Sequence, residues 1–307
     1  MLRLPFRVVP LLACCAVLLT ACGGGSADSA AGSSSGKLQV VAAENFWGSI
    51  AAQLGGSKVA VQSIIVNPST DPHSYEPTAS NGVVLAKSQM AIVNGVGYDV
   101  WASKLLAANP SSSRKVLDVG NLLGLVEGDN PHQWYSPTSV RRVIDQIVAD
   151  YKQLDPKDSA YFDRQRNTFE IRRRAEYHKT IATIRARYAG VPVGYSESIF
   201  QPLGEALGLK LLTPYSFAKA IAEGTDVSAA DKQTVDTQAQ RHMIKVWVYN
   251  SQNATPDVQR VNQLARAARI PIATITETLS PASASFEQWQ VAELKNLQQA
   301  LQQATGK

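Results

Sequence analysis

The sequence predicts an α/β fold in which two lobes, each with a small parallel sheet, are joined by one long rigid helix. The chain has 307 residues, more than a single core usually holds. From residue 37 onward, short apolar segments alternate with amphipathic ones, which is typical of parallel sheets covered by helices. Residues 157–188 contain no Gly or Pro, so a helix can continue there without a break. We expect a first lobe at 37–156, the linking helix at 157–189 and a second lobe at 190–307.

Residues 1–21 have the layout of a signal peptide. Arg3 and Arg7 precede an apolar run at 8–19 that is too short to span a bilayer. The segment that ends at Cys22 reads LTAC and resembles a bacterial lipobox, which implies that Cys22 is lipidated and that cleavage occurs before it. The alternative is an ordinary secretory peptide that happens to contain this cysteine. Gly, Ser and Ala dominate the residues after Cys22, so we expect a flexible tether at 22–36.

The first lobe is predicted from apolar segments of strand length and from one strong helix signal. Ser136 followed by Pro137 is a typical helix start, and the Asp155-Pro156 pair ends that helix after about residue 154. The predicted strands are 38–42, 59–66, 90–94 and 116–119, and the other predicted helices are about 47–54 and 83–87.

One long helix is predicted after the first lobe, and strands and helices alternate again in the second lobe. A helix of ~30 residues would be ~45 Å long, too long for the interior of a small lobe, so we interpret 157–189 as a connection between lobes. Strands are predicted at 191–195, 209–213, 244–249 and 272–276, and helices at 200–207, 257–268 and 286–303.

Composition excludes several classes of function. The net charge of +5 falls to +3 when Arg3 and Arg7 leave with the leader, and no basic patch is interleaved with aromatic residues, so nucleic acid is not expected as a partner. The short arginine run at 172–174 is interpreted as a solvated helix face. All three cysteines precede residue 23, so the body of the chain has no thiol for a disulfide, a thiolate metal site or a nucleophile.

Two of the four histidines lie in loops that prolines stiffen. His73 lies in residues 71–77 (DPHSYEP), after a predicted strand, and His132 lies in residues 130–137 (NPHQWYSP), before a predicted helix. Loops at strand ends are where open α/β sheets bind ligands, and imidazole binds zinc, iron and manganese. We interpret His178 and His242 as structural or exposed.

Two carboxylates occupy comparable places in the second lobe. Glu197 follows the strand predicted at 191–195, and Glu277 follows the strand predicted at 272–276. Each could bind a metal ion, or could instead be a helix cap or a first-turn carboxylate that interacts with a helix dipole. The residues alone leave both interpretations open.

Four segments together resemble the metal-specific substrate-binding proteins of ABC transporters. They are residues 71–78 (DPHSYEPT), 94–101 (NGVGYDVW), 130–137 (NPHQWYSP) and 154–156 (LDP), and the similarity covers about residues 38–303. The resemblance implies two lobes joined by a rigid helix with one metal ion in the cleft. It implies that His73, His132 and Glu197 are ligands. The fourth ligand of the family is usually Asp, so Glu277 departs from the pattern at that position.

The resemblance further implies that the chain is an exported, membrane-anchored lipoprotein, in a periplasm or on an outer surface, and not an enzyme. Its expected partners are the permease and ATPase of a metal importer, and a monomer is expected. Two imidazoles and two carboxylates favour Mn²⁺, followed by Zn²⁺ and then Fe²⁺. The alternatives are a secreted metallo-hydrolase, with Glu76 as the candidate base, and a metal-stabilised surface adhesin.

Overall fold

The computed structural model describes residues 36–70, Pro72 and residues 75–307. Residues Lys37–Lys307 form one compact unit with two four-stranded parallel sheets, which confirms the predicted α/β class. The predictions for the signal peptide, for Cys22 and the tether, and for His73 fall outside the described residues. The lobe boundaries at 156/157 and 189/190 remain predictions.

The first sheet has the strand order β2-β1-β3-β4, and all its pairs are parallel. The side chain of Ser136 accepts a hydrogen bond from the backbone of Ser139 and caps the helix that leaves this half, as the sequence predicts. The elements are β1 (Leu38–Glu44), α1 (Asn45–Gly55), β2 (Val59–Ile65), α2 (Ala79–Ala86), β3 (Met90–Val93), α3 (Val100–Ala108), β4 (Lys115–Asp118), α4 (Val119–Leu123) and α5 (Pro137–Leu154).

The second sheet repeats this topology, with the parallel order β6-β5-β7-β8. In both sheets the order reverses between the first and third strands of the half, which is where open α/β sheets form a binding crevice. Two helices lead into this half. Its elements in chain order are α6 (Ser159–Thr168), α7 (Ala175–Tyr188), β5 (Pro192–Tyr195), α8 (Gln201–Ala206), β6 (Lys210–Leu211), α9 (Tyr215–Ala222), α10 (Ala229–Gln240), β7 (Val246–Asn250), α11 (Pro256–Ala267), β8 (Ile272–Ile275) and α12 (Phe286–Thr305).

The segment predicted as one linking helix is interrupted. A 3₁₀ turn at Pro156–Asp158 precedes α6, and a π-helical turn at Phe169–Arg173 separates α6 from α7. The first of these two helices packs against α1 and α5, whereas α7 packs against α12. The π turn therefore lies where the connection changes from the first half of the molecule to the second.

The arginine run beside this turn is only partly solvated. Arg172 and Arg173 are exposed, but Arg174 is fully buried, which contradicts its assignment to a solvated face. Its Nη1 donates to Glu170 Oε1 at 2.5 Å, and its guanidinium lies 4.8 Å from the ring centre of Tyr177. Burial opposes ionisation of Glu170, but its contact with His178 and the charge of Arg174 outweigh burial and lower its pKa to about 2.

One apolar core joins the two halves. The rings of Phe46 and Trp134 stack with centres 4.0 Å apart, and Tyr135 meets Trp289 of α12 edge-on at 5.6 Å. These four aromatic side chains belong to a single cluster that also takes in residues of both sheets. The halves therefore share part of one apolar core. Among the helices of the described residues, none is both long and apolar enough to cross a membrane.

Candidate metal centre

His132 is held with its Nε2 atom facing the boundary between the two halves. The residue lies just before a 3₁₀ turn at Gln133–Tyr135 that leads into α5, and it is fully buried. Asn130 Oδ1 accepts from both the backbone N–H of His132 at 3.1 Å and its Nδ1 at 2.7 Å. Asn130 Nδ2 donates to the carbonyl of Ser198 at 2.8 Å, which fixes the orientation of the amide. Nδ1 therefore carries a hydrogen, and in the neutral ring the lone pair is on Nε2.

Glu197 is buried where β5 ends. It is the N-cap residue of the 3₁₀ turn Ser198–Phe200, but its side chain makes no capping hydrogen bond. Instead, its Oε2 accepts from Asn250 Nδ2 at 2.9 Å. The helix-cap alternative therefore does not describe this side chain.

Glu277 is buried in the loop after β8 and faces His132. Its Oε1 lies 3.4 Å from His132 Nε2 and accepts from the hydroxyl of Tyr98 at 3.1 Å. The next helix begins only at Phe286, so Glu277 is not a first-turn carboxylate. One donor atom from each of His132, Glu197 and Glu277 lies within 4.8 Å of the other two.

The end of β7 holds both carboxylates. Asn250 is fully buried, and its Nδ2 donates to Glu197 Oε2 at 2.9 Å and to Glu277 Oε2 at 3.2 Å. Two residues further on, Gln252 Oε1 accepts from the backbone N–H groups of Glu277 and Thr278 at 2.7 and 3.0 Å. Because β7 lies between β5 and β8, its end reaches the loops that carry both acids. Asn250 lies in none of the sequence motifs described above. Its only signal in the sequence is that it is a polar residue at the end of an apolar strand.

A buried acid anchors the loop of Glu277 from α12. Glu293 Oε1 accepts from the backbone N–H and hydroxyl of Thr276 and from the indole of Trp289. Tyr135 Oη lies 2.7 Å from the carbonyl of Thr276 and 2.6 Å from Glu293 Oε2. The hydroxyl has one hydrogen and the carbonyl can only accept, so Glu293 supplies the hydrogen for the second contact. Burial accordingly raises the pKa of Glu293 to about 8.

A second acid pair lies behind Tyr98 in the first half. Asp99 accepts from the backbone N–H groups of Asn94 and Gly95 at 2.7 and 2.8 Å, and burial raises its pKa to about 6. Burial raises the pKa of Glu44 well above its usual value, and the charge of Asp99 raises it further. Burial and the charge of Asp99 therefore both favour the protonated form of Glu44. The sequence gives little signal for Glu44 beyond its place at the end of an apolar strand.

The other candidate residues lie apart from this cluster. His178 is half-buried beside Glu170, at 3.4 Å, and His242 is exposed in the turn after α10, which fits their interpretation as structural or exposed. Glu76 is exposed. His73 lies outside the described residues, but the carbonyl of neighbouring Pro72 accepts from the indole of Trp101 at 3.2 Å.

A cavity of about 390 Å³ leads to the cluster. Pro68, Ser69, Thr70 and Pro72 line one side, and Gln252 and Glu277 lie on its wall. A second cavity, of about 310 Å³, reaches His132 and Tyr98. Small hydrated ions can therefore approach the buried donor atoms.

Comparison with known proteins places the chain in a family. The model of the periplasmic component A of the zinc-uptake complex, ZnuA, matches residues 40–300. The chain belongs to this family. This match confirms the family resemblance that the sequence motifs indicate.

The curated proteins that this chain resembles are named for different metals. The manganese-binding lipoprotein MntA of Halalkalibacterium halodurans is 25% identical over 56% of this chain and 58% of its own length. The iron-binding protein YfeA of Yersinia pestis is 26% identical over 57% and 58%, respectively. The zinc-binding lipoprotein AdcA of Streptococcus pneumoniae is 23% identical over 87% of this chain and 56% of its own length. The chain thus spans a little over half the length of these curated relatives.

Solved structures share the fold. The Mn-bound periplasmic metal-binding protein of Candidatus Liberibacter asiaticus has a TM-score of 0.72 at 19% identity, over 87% of this chain and 100% of that chain. The solute-binding protein FpvC of Pseudomonas aeruginosa, in complex with Mn²⁺, has a TM-score of 0.71 at 19% identity, over 88% and 100%.

Proposed function

We propose that this protein captures a divalent transition-metal ion outside the cytoplasm and delivers it to an ABC importer. The observation that carries the proposal is the buried group of donor atoms from His132, Glu197 and Glu277, which come from both halves of the molecule. An imidazole lone pair and two carboxylates form a mixed nitrogen and oxygen set that suits Mn²⁺, Zn²⁺ or Fe²⁺. His73, from the sequence motif at residues 71–78, would complete a set of four.

The charge balance of these ligands suits a cargo ion. Two neutral imidazoles and two carboxylates carry a net charge of −2, which neutralises a divalent cation. Four protein ligands around a buried ion resemble a closed site more than a catalytic one, because a catalytic metal keeps a position for water or substrate. The names of the relatives, which include manganese-, iron- and zinc-binding proteins, support the same class of cargo.

Anchoring and partners follow from the same proposal. A lipid on Cys22 would hold the protein at the outer face of a membrane, in a periplasm or at the cell surface. The Gly- and Ser-rich residues after it would give a monomer the reach to meet its permease, and the ATPase of that importer would drive uptake. The lipoprotein names of MntA and AdcA support this arrangement.

The two other functions considered have less support. A metallo-hydrolase needs a base beside the metal, and the candidate Glu76 is exposed, whereas the donor cluster is buried. We therefore propose a binding protein and not an enzyme. An adhesin that uses metal only for stability would unfold when the ion is removed.

The experiment is a titration of the metal-free protein with Mn²⁺ and Zn²⁺, repeated with His132→Ala and Glu277→Ala. Changes to the surroundings of metal ligands cost about 10–100-fold in affinity, so the loss of a direct ligand should cost at least about 100-fold. His178→Ala is the matched control, because His178 lies away from the cluster beside Glu170. Wild-type affinity in Glu277→Ala would remove Glu277 from the ligand set, and wild-type affinity in both variants would refute the site.

A further inference from the structure

The amide of Asn250 occupies one oxygen of each carboxylate in the candidate site. Its single Nδ2 atom donates to Glu197 Oε2 at 2.9 Å and to Glu277 Oε2 at 3.2 Å. An amide nitrogen carries two hydrogens, so each carboxylate can receive one of them. The two acids are thus tied to one neutral group that lies between their loops.

The hydrogen bonds of Asn250 fix which side of its amide faces the two carboxylates. Its Oδ1 accepts from the backbone N–H of Gln252 at 2.9 Å, and its own backbone N–H donates to Ser196 Oγ at 3.1 Å. A flipped amide would lose the Gln252 contact and would turn an oxygen towards two carboxylates. The side chain is also fully buried, so water cannot replace the lost hydrogen bonds.

This arrangement limits how many oxygens the acids give to an ion. Two-oxygen binding needs both oxygens of a carboxylate at about the same distance from the ion, so each acid would have to turn its Oε2 away from the amide of Asn250. While these hydrogen bonds hold, Glu197 and Glu277 would each bind through Oε1, whose second lone pair in Glu277 remains for the ion when Tyr98 donates to the first. Two imidazoles would bring the protein ligands to four. If both carboxylates were released, they could bind through two oxygens each, and the protein would offer six atoms. Zn²⁺ is usually bound by four ligands in a tetrahedron, whereas Mn²⁺ suits a higher number of oxygen ligands in an octahedron.

We propose that Asn250 sets the metal preference of the site by holding Glu197 and Glu277 to one-oxygen coordination, which favours Zn²⁺ over Mn²⁺. The inference rests on the proposed function, since it concerns the ligands of the same cargo ion. The number of carboxylates in the sequence favours manganese, but the way in which the carboxylates are held favours zinc. Asn250 is a positioning residue that acts through the two acids.

The test compares Zn²⁺ and Mn²⁺ affinities of the full chain and of Asn250→Leu, measured by competition with a chelator. Leu is similar in size to Asn and has no donor, so the variant should lower the ratio of Zn²⁺ to Mn²⁺ affinity at least tenfold. Asn262→Leu is the matched control. Asn262 is another buried asparagine of the same half, and it accepts from the indole of Trp247 at 2.7 Å without contacting either acid. It should destabilise the fold without changing the ratio.

Crystal structures of the natural chain with Zn²⁺ and with Mn²⁺ decide the question even if Asn250→Leu does not fold. Each acid should bind through one oxygen while Asn250 keeps both of its hydrogen bonds. Two-oxygen coordination by either acid in the Zn²⁺ complex, or an unchanged affinity ratio in folded Asn250→Leu, would overturn the inference and leave the proposed function standing. A natural chain that binds neither ion would instead refute the proposed function.

Discussion

Asn130 shows how one side chain can serve a ligand and the junction between the halves together. Its oxygen orients the ring of His132, and its nitrogen donates to the carbonyl of Ser198 in the other half. A hydrogen-bond acceptor on Nδ1 fixes the tautomer and makes the ring a better ligand. The same amide therefore couples the direction of the imidazole to the position of the loop that carries Glu197.

We predict that Asn130→Ala weakens metal binding about 10–100-fold, the usual cost of removing a group that orients a metal-bound histidine. The measurement is Zn²⁺ affinity by calorimetry. Asn109→Ala is the control, since the side chain of Asn109 donates to the nearby carbonyl of Leu105 at the end of α3, away from the metal site. An equal loss in both variants would mean that a general loosening of the first half, and not the orientation of His132, lowers the affinity.

At the scale of elements, α12 positions the loop of Glu277 through a buried protonated acid. Glu293 contacts Thr276 and Tyr135 at once, so the last helix, the loop after β8 and the turn before α5 meet at one carboxyl group. A neutral carboxyl fits here because it donates to Tyr135 and accepts from Thr276. An ionised one would lose the first of these roles.

The expected pH dependence follows from this proton. The folded protein keeps it up to a pKa of about 8, whereas the unfolded chain releases it near the ordinary glutamate pKa of 4.5. The folded state thus binds more protons across this window, and the free energy of unfolding falls as pH rises from 4.5 to 8. Glu293→Gln cannot ionise and keeps a donor towards Tyr135. It should therefore gain stability relative to the natural chain between pH 5 and pH 8.

Thermal unfolding of the metal-free proteins at pH 5 and pH 8 measures this difference. Glu287→Gln carries the same substitution in the first turn of α12, where Glu287 accepts from Gln53 at 2.8 Å. Its stability relative to the natural chain should change less between the two pH values. If the two variants respond alike, the titration of Glu293 does not control stability in this range.

At the scale of the whole molecule, the continuous core makes the two halves one folding unit. Phe46, Trp134 and Trp289 belong to one cluster although they come from distant parts of the chain. Separation of the halves would expose these large aromatic surfaces to water, at a cost of about 25 cal/mol for each Å² of apolar area. Release of an ion by wide opening of the halves is therefore disfavoured compared with small movements of the loops that carry the ligands.

We predict a single calorimetric unfolding transition for residues 37–307, with a van't Hoff enthalpy equal to the calorimetric one. Zn²⁺ should move the whole transition upward, because an ion bound only by the folded state stabilises all that unfolds with it. Two resolved transitions, or a shift of only part of one, would show that the halves unfold separately and that the shared core does not couple them.

Much of this architecture could be predicted from the sequence, and the exceptions have physical causes. Strands β1, β3 and β7 are apolar runs of mostly buried residues, and α5 begins and ends where Ser136 and Pro156 predict. Helices α3, α4, α9 and α10 are absent from the prediction. Helices α3 and α10 each bury only two or three side chains and show little amphipathic pattern, and α4 has only five residues. The motifs indicate His132, Glu197 and Glu277, but the contact of Asn250 with two acids depends on strand order, which local pattern does not encode.

The π turn Phe169–Arg173 makes the relative orientation of α6 and α7 depend on the number of residues between them. A π turn holds about one residue more than a turn of α-helix, so it could absorb the loss of one residue, whereas the loss of a second would rotate α7 about its axis by about 100° relative to α6. Helix α6 packs against α1 and α5, and α7 packs against α12. A rotation of α7 relative to α6 would therefore change the orientation of the second sheet relative to the first. Such a shortening would separate His132 from Glu197 and Glu277 while leaving every metal-binding side chain in the sequence.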